Sequence, residues 1–234
     1  MPFLQILTGS ALGMLLGMRH ALEPDHLAAV STLVSEQRGS RRAAWLGFCW
    51  GLGHTLALVV VGIVLVGLRA EMPPRVADLF EFGVAIMLIA LGVRAIVRAA
   101  REGTHGPSAP HAHRGMIHQH PGVPQHVHVG SLTLARRPLL VGIVHGLAGS
   151  GALTALVLAT LPTPAARITY MTLFGLGSSA GMAALSGLLG WPLARLGGER
   201  RTMRTVSMIV GCVSTALGIA WGLPILPRLF HPHA

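Results

Sequence analysis

The stretch AWLGFCWGLGHTLALVVVGIVLVGL, from Ala44 to Leu68, contains no acidic residue, no arginine and a single histidine, His54. A run of about 20 apolar residues is long enough to cross the hydrocarbon core of a bilayer as an α-helix. Only 11% of the whole chain is charged and 52% is hydrophobic, whereas soluble domains usually carry about 25% charged residues. The stretch and the composition together predict an all-α membrane protein.

Apolar blocks of similar length recur along the chain, at Leu79–Val97, Leu139–Leu161, Ile168–Leu193 and Thr205–Leu226. The first block is interrupted, because charged residues separate Phe3–Met18 from Leu27–Val34. We interpret it as one long, interrupted helix, which gives six transmembrane helices. The alternative is two short segments that dip into the membrane. The N-terminus has neither a positively charged start nor a cleavage site, which argues against a removable signal peptide.

The distribution of arginines predicts how the chain is oriented in the membrane. In the six-span arrangement twelve arginines fall on one side of the membrane and four on the other. Arginines near helix ends favour the cytoplasmic side. We therefore expect a multi-pass protein of the bacterial inner (plasma) membrane, with both termini outside and the loop 100–137 in the cytoplasm. Since the arginines lie mainly between apolar blocks, the net charge of +10 does not indicate nucleic-acid binding.

Three short motifs recur at a nearly constant offset of 124 to 126 residues. The matched positions are Gly17 and His20 with Gly142 and His145, Gly51-Leu-Gly53 with Gly175-Leu-Gly177, and Ala90-Leu-Gly92 with Ala216-Leu-Gly218. Each half would hold three spans, and an odd number places the halves in opposite orientations. The pattern predicts inverted three-helix repeats at 1–99 and 138–234, joined by a flexible His-rich cytoplasmic loop at 100–137.

The polar stretch His20-Ala-Leu-Glu-Pro-Asp-His26 lies within the first apolar block. Ionisable side chains inside a membrane are costly and are most often functional. On a regular helix His20, Asp25 and His26 would point apart, because each residue turns about 100°. Pro24 offers no N–H to the His20 carbonyl, so we expect a helix break that brings the three onto one transition-metal ion. The alternative is an interfacial helix end capped by the histidines.

Other polar residues extend this candidate site. His54 is a further candidate metal ligand, with a hydrogen-bonded core histidine as the alternative. Glu23, Ser150 and His145 are candidates for lining an ion pathway, and helix packing is the alternative for His145. The connecting loop is rich in histidine, which is typical of metal capture, although a linker without bound metal is the alternative. Its candidate residues are His111, His113, His118, His120, His126 and His128.

At these residues the chain resembles the nickel/cobalt transporter family, whose signature is His-x4-Asp-His in a membrane helix, here His20, Asp25 and His26. The family's second motif, Gly-His-Ser/Thr, is similar to Gly53-His54-Thr55. The resemblance covers most of the chain and is closer to the short urease-accessory-type nickel permeases. The acidic residues that larger members carry in two later helices are missing. The resemblance implies transport of Ni²⁺ or Co²⁺, with the ion as cargo and no cofactor.

We therefore predict a secondary carrier rather than an enzyme. The sequence has no phosphate-binding Gly-x4-Gly-Lys motif and no His-Glu-x-x-His zinc-protease motif. The expected partners are the lipid bilayer and a divalent transition-metal ion, and further candidates are a cytoplasmic metallochaperone and a second copy of the chain. Two alternatives stay open: efflux rather than uptake, and a membrane-bound buffer that delivers metal to a metalloenzyme.

Overall fold

The computed structural model describes residues 2–35, 39–101, 111–113, 116–118, 126–129, 132–196 and 200–230. Within these ranges the chain forms eight helices: α1 (Pro2–His20), α2 (Pro24–Val34), α3 (Ser40–Leu68), α4 (Pro74–Arg101), α5 (Arg136–Thr160), α6 (Pro164–Leu196), α7 (Arg200–Gly222) and α8 (Ile225–Phe230). Four short strands lie between α4 and α5: β1 (His111–His113), β2 (Met116–His118), β3 (His126–Val129) and β4 (Leu132–Ala135).

Four segments of the described ranges are long and apolar enough to cross a membrane, namely Ser40–Leu68, Pro74–Arg101, Pro164–Leu193 and Arg201–Phe230. Each coincides with an apolar block of the sequence, so the helical membrane protein is confirmed at this level. The expectation of six spans also requires the interrupted first block and α5. For those two segments it remains a prediction.

The histidine-rich loop contains regular structure that the sequence reading did not predict. β1 pairs antiparallel with β2, and β3 pairs antiparallel with β4. The His-x-His sequences alternate with the two-residue period of a strand. The flexibility expected for the loop 100–137 stays a prediction.

Two pairs of helices run parallel and in close contact. Along α1 and α6 the residue numbers rise together, from Gly13 beside Tyr170 to Ala21 beside Gly181. Likewise α3 and α5 run parallel, since Trp50 faces Gly142 and, a turn or two later, Ala57 faces Gly146. Glycine permits both approaches, because a Cβ at Gly142 would collide with the Trp50 carbonyl oxygen.

Two further extensive interfaces are antiparallel. Ser40 near the start of α3 donates a hydrogen bond to the Gly187 carbonyl oxygen of α6 at 2.7 Å. Further along α3, the Thr55 hydroxyl lies 2.7 Å from the Gly175 carbonyl oxygen and 2.8 Å from the Ser179 hydroxyl oxygen. On the other side of the molecule α4 and α7 are antiparallel too. Polar or glycine contacts thereby fix the register of α3 against α6 and of α4 against α7.

A hydrophobic cluster surrounds Trp50, which is fully buried. Side chains from α2 to α6 contribute to it, including Val30, Leu88, Val141 and Met182. A polar cluster lies directly beside this core, and the buried indole ring forms part of its wall.

Candidate metal centre

Four helices contribute side chains to this buried polar cluster. His20 is the last residue of α1, Asp25 and His26 lie in the first turn of α2, His54 lies within α3, and His145 lies within α5. The relative exposure is 1% for His26, 0% for His54 and 2% for His145. Imidazoles buried to this extent need hydrogen-bond partners or a metal ion.

The break between α1 and α2 brings His20 and His26 together. Pro24 is the first residue of α2 and cannot donate the helical hydrogen bond to the His20 carbonyl. The backbone N–H of Glu23 donates to that carbonyl instead, at 3.1 Å, and the N–H of Leu27 donates to the Glu23 carbonyl at 2.9 Å. The chain therefore turns tightly between the helices, and the ring centroids of His20 and His26 lie 4.5 Å apart.

His20, His26 and His54 form what we call the three-histidine group. Each offers a ring nitrogen, and these nitrogens lie within 4.8 Å of one another. Within the described part of the chain, Nε2 of His20, Nε2 of His26 and both ring nitrogens of His54 are buried without a hydrogen-bond partner. Because buried polar atoms are nearly always paired, these converging nitrogens indicate a site for a cation.

Carboxylates contact the Nδ1 atoms of two of these imidazoles. The His20 Nδ1 atom lies 2.8 Å from Glu23 Oε1, and the His26 Nδ1 atom lies 3.2 Å from Asp25 Oδ1. An ionised carboxylate only accepts hydrogen bonds, so Nδ1 carries the proton and Nε2 keeps its lone pair. Metal-binding histidines are commonly oriented by a carboxylate in this way.

A second group shares His26. We call Asp25, His26 and His145 the Asp25 group, and its ligand atoms also lie within 4.8 Å of one another. The His145 Nε2 atom is 2.7 Å from Asp25 Oδ2, and the ring centroids of His145 and His26 are 4.1 Å apart. Both carboxylate oxygens of Asp25 therefore contact imidazoles.

The donor atoms define the kind of ion that fits. Imidazole nitrogens with a carboxylate suit borderline transition metals such as nickel, cobalt, zinc and copper(II), whereas magnesium and calcium prefer oxygen ligands alone. Neither group contains a cysteine, which disfavours a soft copper(I) site.

The structure thus brings together His20, Asp25, His26 and His54, the four residues selected from the sequence as metal ligands. His145 joins them through Asp25. The Ser150 hydroxyl donates to the Leu147 carbonyl at 2.6 Å, and its place in an ion pathway stays a prediction. His111, His113, His118, His126 and His128 lie in the strands, and His120 lies outside the described residues. Metal capture by the loop remains a prediction.

Three residues at the centre were not selected from the sequence. The rings of Trp50 and Phe174 lie 5.3 Å from those of His26 and His20, respectively. A Cβ at Gly149 would lie 3.8 Å from His20 Nε2 and 3.9 Å from His54 Cε1. The internal repeat could have pointed to Gly149, because it stands 125 positions after Pro24.

Comparison with known proteins gives a consistent family assignment. The profile of the NicO family, described as high-affinity nickel-transport protein, matches residues 7–196. The chain is 34% identical to the urease accessory protein UreH of Bacillus sp. (strain TB-90) over 217 residues, which are 92% of this chain and 90% of that protein.

More distant relatives match as well. A segment of 76 residues, 32% of this chain and 22% of the relative, is 30% identical to the high-affinity nickel transport protein of Cupriavidus necator. The chloroplast protein FOR GROWTH AND FERTILITY 1 of Arabidopsis thaliana is 26% identical over 94% of this chain, which spans 60% of that protein. No solved structure matches the chain significantly.

Proposed function

The chain belongs to the NicO family of high-affinity nickel-transport proteins, and from that membership we propose that it is a secondary carrier of Ni²⁺ or Co²⁺. The observation that supports this most directly is the three-histidine group. Its buried, unpartnered nitrogens converge within a bundle whose long helices are apolar enough to span a membrane. A partly dehydrated divalent cation is the cargo that such a site would accept.

The broken helix would serve the release of the ion as well as its binding. His20 and His26 belong to different helices, so a change in the angle between α1 and α2 would separate two ligands at once. Discontinuous helices at the substrate site are a recurrent feature of secondary transporters. A single hinge between α1 and α2 could therefore bring the ligands together to bind the ion and separate them to release it.

We also propose that residues 1–99 and 138–234 are inverted repeats flanking the loop 100–137. Gly17 of α1 approaches Phe174 of α6 in the same way as Gly142 of α5 approaches Trp50 of α3. The paired positions differ by 124 or 125 residues, the offset of the sequence repeat. An experimental structure should superpose the halves by a rotation near 180° about an axis in the membrane plane, and a parallel relation would refute the repeat.

The environment proposed for the protein is the bacterial inner (plasma) membrane, with both termini outside and the histidine-rich loop in the cytoplasm. The arginine bias supports this orientation. In that position the loop would meet cytoplasmic nickel, and it could exchange the ion with a metallochaperone. Self-association of the chain is a further proposal that purification in mild detergent would test.

A second candidate function is membrane-bound delivery of nickel to a metalloenzyme. The naming of one relative as a urease accessory protein favours this role, and the histidine-rich loop would suffice for it. Deleting residues 105–128 separates the two functions. A carrier should still move ions into vesicles without the loop, whereas a delivery protein should lose the transfer of nickel to apo-urease.

Purified full-length protein in liposomes loaded with a nickel-sensitive dye tests transport directly. We expect protein-dependent entry of Ni²⁺ and Co²⁺ without ATP, and its loss in His26→Ala, since His26 belongs to both ligand groups. Ser214→Ala is the matched control, because this buried hydroxyl donates to the Leu88 carbonyl, away from both ligand groups. Entry no faster than in empty liposomes would overturn the carrier. In a second assay the vesicles are loaded with Ni²⁺ and the dye is outside, so that the dye reports the exit of the ion. Comparing the rates of entry and exit decides between uptake and efflux.

A further inference from the structure

A carrier must pass its ion onward, and a second set of ligands lies in contact with the first. We propose that Asp25, His26 and His145 form a second ion position beside the three-histidine group, an inference that rests on the proposed transport function. The ion occupies the two positions one after the other. His26 is common to both, and His145 is the residue that the second position adds from α5.

The Asp25 group places one carboxylate between two imidazoles. Asp25 Oδ1 contacts His26 Nδ1 at 3.2 Å, and Asp25 Oδ2 contacts His145 Nε2 at 2.7 Å. The side chains of His26 and His145 are almost fully buried, and that of Asp25 is 13% exposed. A cation among them would be held by one carboxylate and two imidazoles, a set suited to nickel and cobalt.

The remaining nitrogen of His145 leaves the ring free to change tautomer. Nδ1 of His145 is buried and has no hydrogen-bond partner within the described residues. No neighbouring group therefore fixes the proton on one nitrogen or keeps it from the other. When an ion binds Nε2 of His145, the ring carries its N–H on Nδ1 instead.

His26 makes the two positions mutually exclusive. A neutral imidazole has one N–H and one free lone pair. While Nδ1 donates to Asp25, the free nitrogen of His26 is Nε2, which faces the three-histidine group. Binding through Nδ1 in the second position places the N–H on Nε2. The chain therefore binds one ion at a time, and the ring of His26 lies between the two positions.

The test compares Co²⁺ binding to full-length protein in detergent, measured by titration calorimetry and X-ray absorption. We expect wild type, His54→Ala and His145→Ala each to bind one ion, with affinity about 10–100-fold lower in the single variants. The double variant and His26→Ala should bind none. In His54→Ala the X-ray absorption spectrum should show a carboxylate oxygen bound to Co²⁺ and fewer imidazole ligands than in wild type. Loss of all binding in His54→Ala alone would overturn the second position.

Measuring transport distinguishes whether His145 is a metal ligand or only positions Asp25. His145→Gln keeps a donor for Asp25 Oδ2 but is a poor metal ligand, so it should bind Co²⁺ and yet transport at least about tenfold more slowly. Rescue of transport by His145→Gln would overturn the proposal, and this variant remains informative if His145→Ala does not fold. Absence of transport by wild type, with the binding pattern intact, would refute the carrier function while leaving the second position standing.

Discussion

The carboxylate of Asp25 and the imidazole of His145 meet at 2.7 Å across 120 positions of the sequence. Asp25 lies in the first turn of α2 and His145 within α5, so this contact joins the two halves of the chain. It also ties the helix break to the long helix bundle, because α5 packs along α3 through Gly142 and Gly146. A substitution at Asp25 should therefore alter the positions of imidazoles in both ligand groups.

Asp25→Asn should lower nickel transport by at least about tenfold, the scale usual for a residue that orients metal ligands. The amide has nearly the same size, but an NH2 group replaces one of the two oxygens, so the contact with either His26 or His145 loses its acceptor. Transport in liposomes and nickel titration would measure the effect, with Ser214→Ala as control. Wild-type rates in Asp25→Asn would show that Asp25 contributes nothing to the site.

Pro24→Ala tests the helix break without removing a ligand. Alanine restores an N–H that can donate to the His20 carbonyl, which favours continuation of α1 into α2. We expect lower nickel affinity, because a regular helix would turn His20 and His26 away from each other. Expression and helix content should remain normal, and circular dichroism would verify this. Unchanged affinity would mean that packing of α2 against its neighbours, rather than Pro24, maintains the break.

Gly142→Ala should impair transport and lower thermal stability, because its Cβ would collide with the Trp50 carbonyl and force α5 away from α3. His145 lies one turn along α5 and would move with the helix. Gly67→Ala is the matched control, since a Cβ there meets nothing within 4 Å. Alanine is favoured over glycine in a helix by about 1 kcal/mol, so Gly67→Ala should be neutral or stabilising. Equal effects of both substitutions would contradict the close-packing argument.

The orientation of the loop can be tested at Ser108. In a chain whose Cys49 and Cys212 are replaced by serine, Ser108→Cys should resist a membrane-impermeant thiol label in intact cells. It should react once the cells are opened. Rapid labelling of intact cells would place the loop outside and reverse the topology derived from the arginines.

The sequence predicted the long helices and the helix break well. Uninterrupted apolar blocks have few alternatives to a helix in a membrane, and the block Ala44–Leu68 became the helix Ser40–Leu68. The break between His20 and Pro24 followed from the missing N–H of proline. These are local properties, which a single sequence carries.

Long-range pairing was not predicted. His145 lacks an acidic neighbour in sequence, so its contact with Asp25 could be found only once α5 and α2 were placed together. The position of Gly149 beside His20 was missed too, although the internal repeat could have pointed to it. The paired strands of the loop were missed as well, although the His-x-His alternation fits a strand.

The hydroxyls of Thr55 and Ser179 hydrogen-bond to each other at 2.8 Å, and the two residues are 124 positions apart. They are thus equivalent positions of the proposed repeats that touch one another, which puts them on the pseudo-twofold axis. When two halves exchange conformations about such an axis, points on the axis stay still. This hydroxyl pair would then be the fixed point of the motion. The separation of the two hydroxyls would be the same in the inward-facing and outward-facing states, while the distances between the metal ligands change.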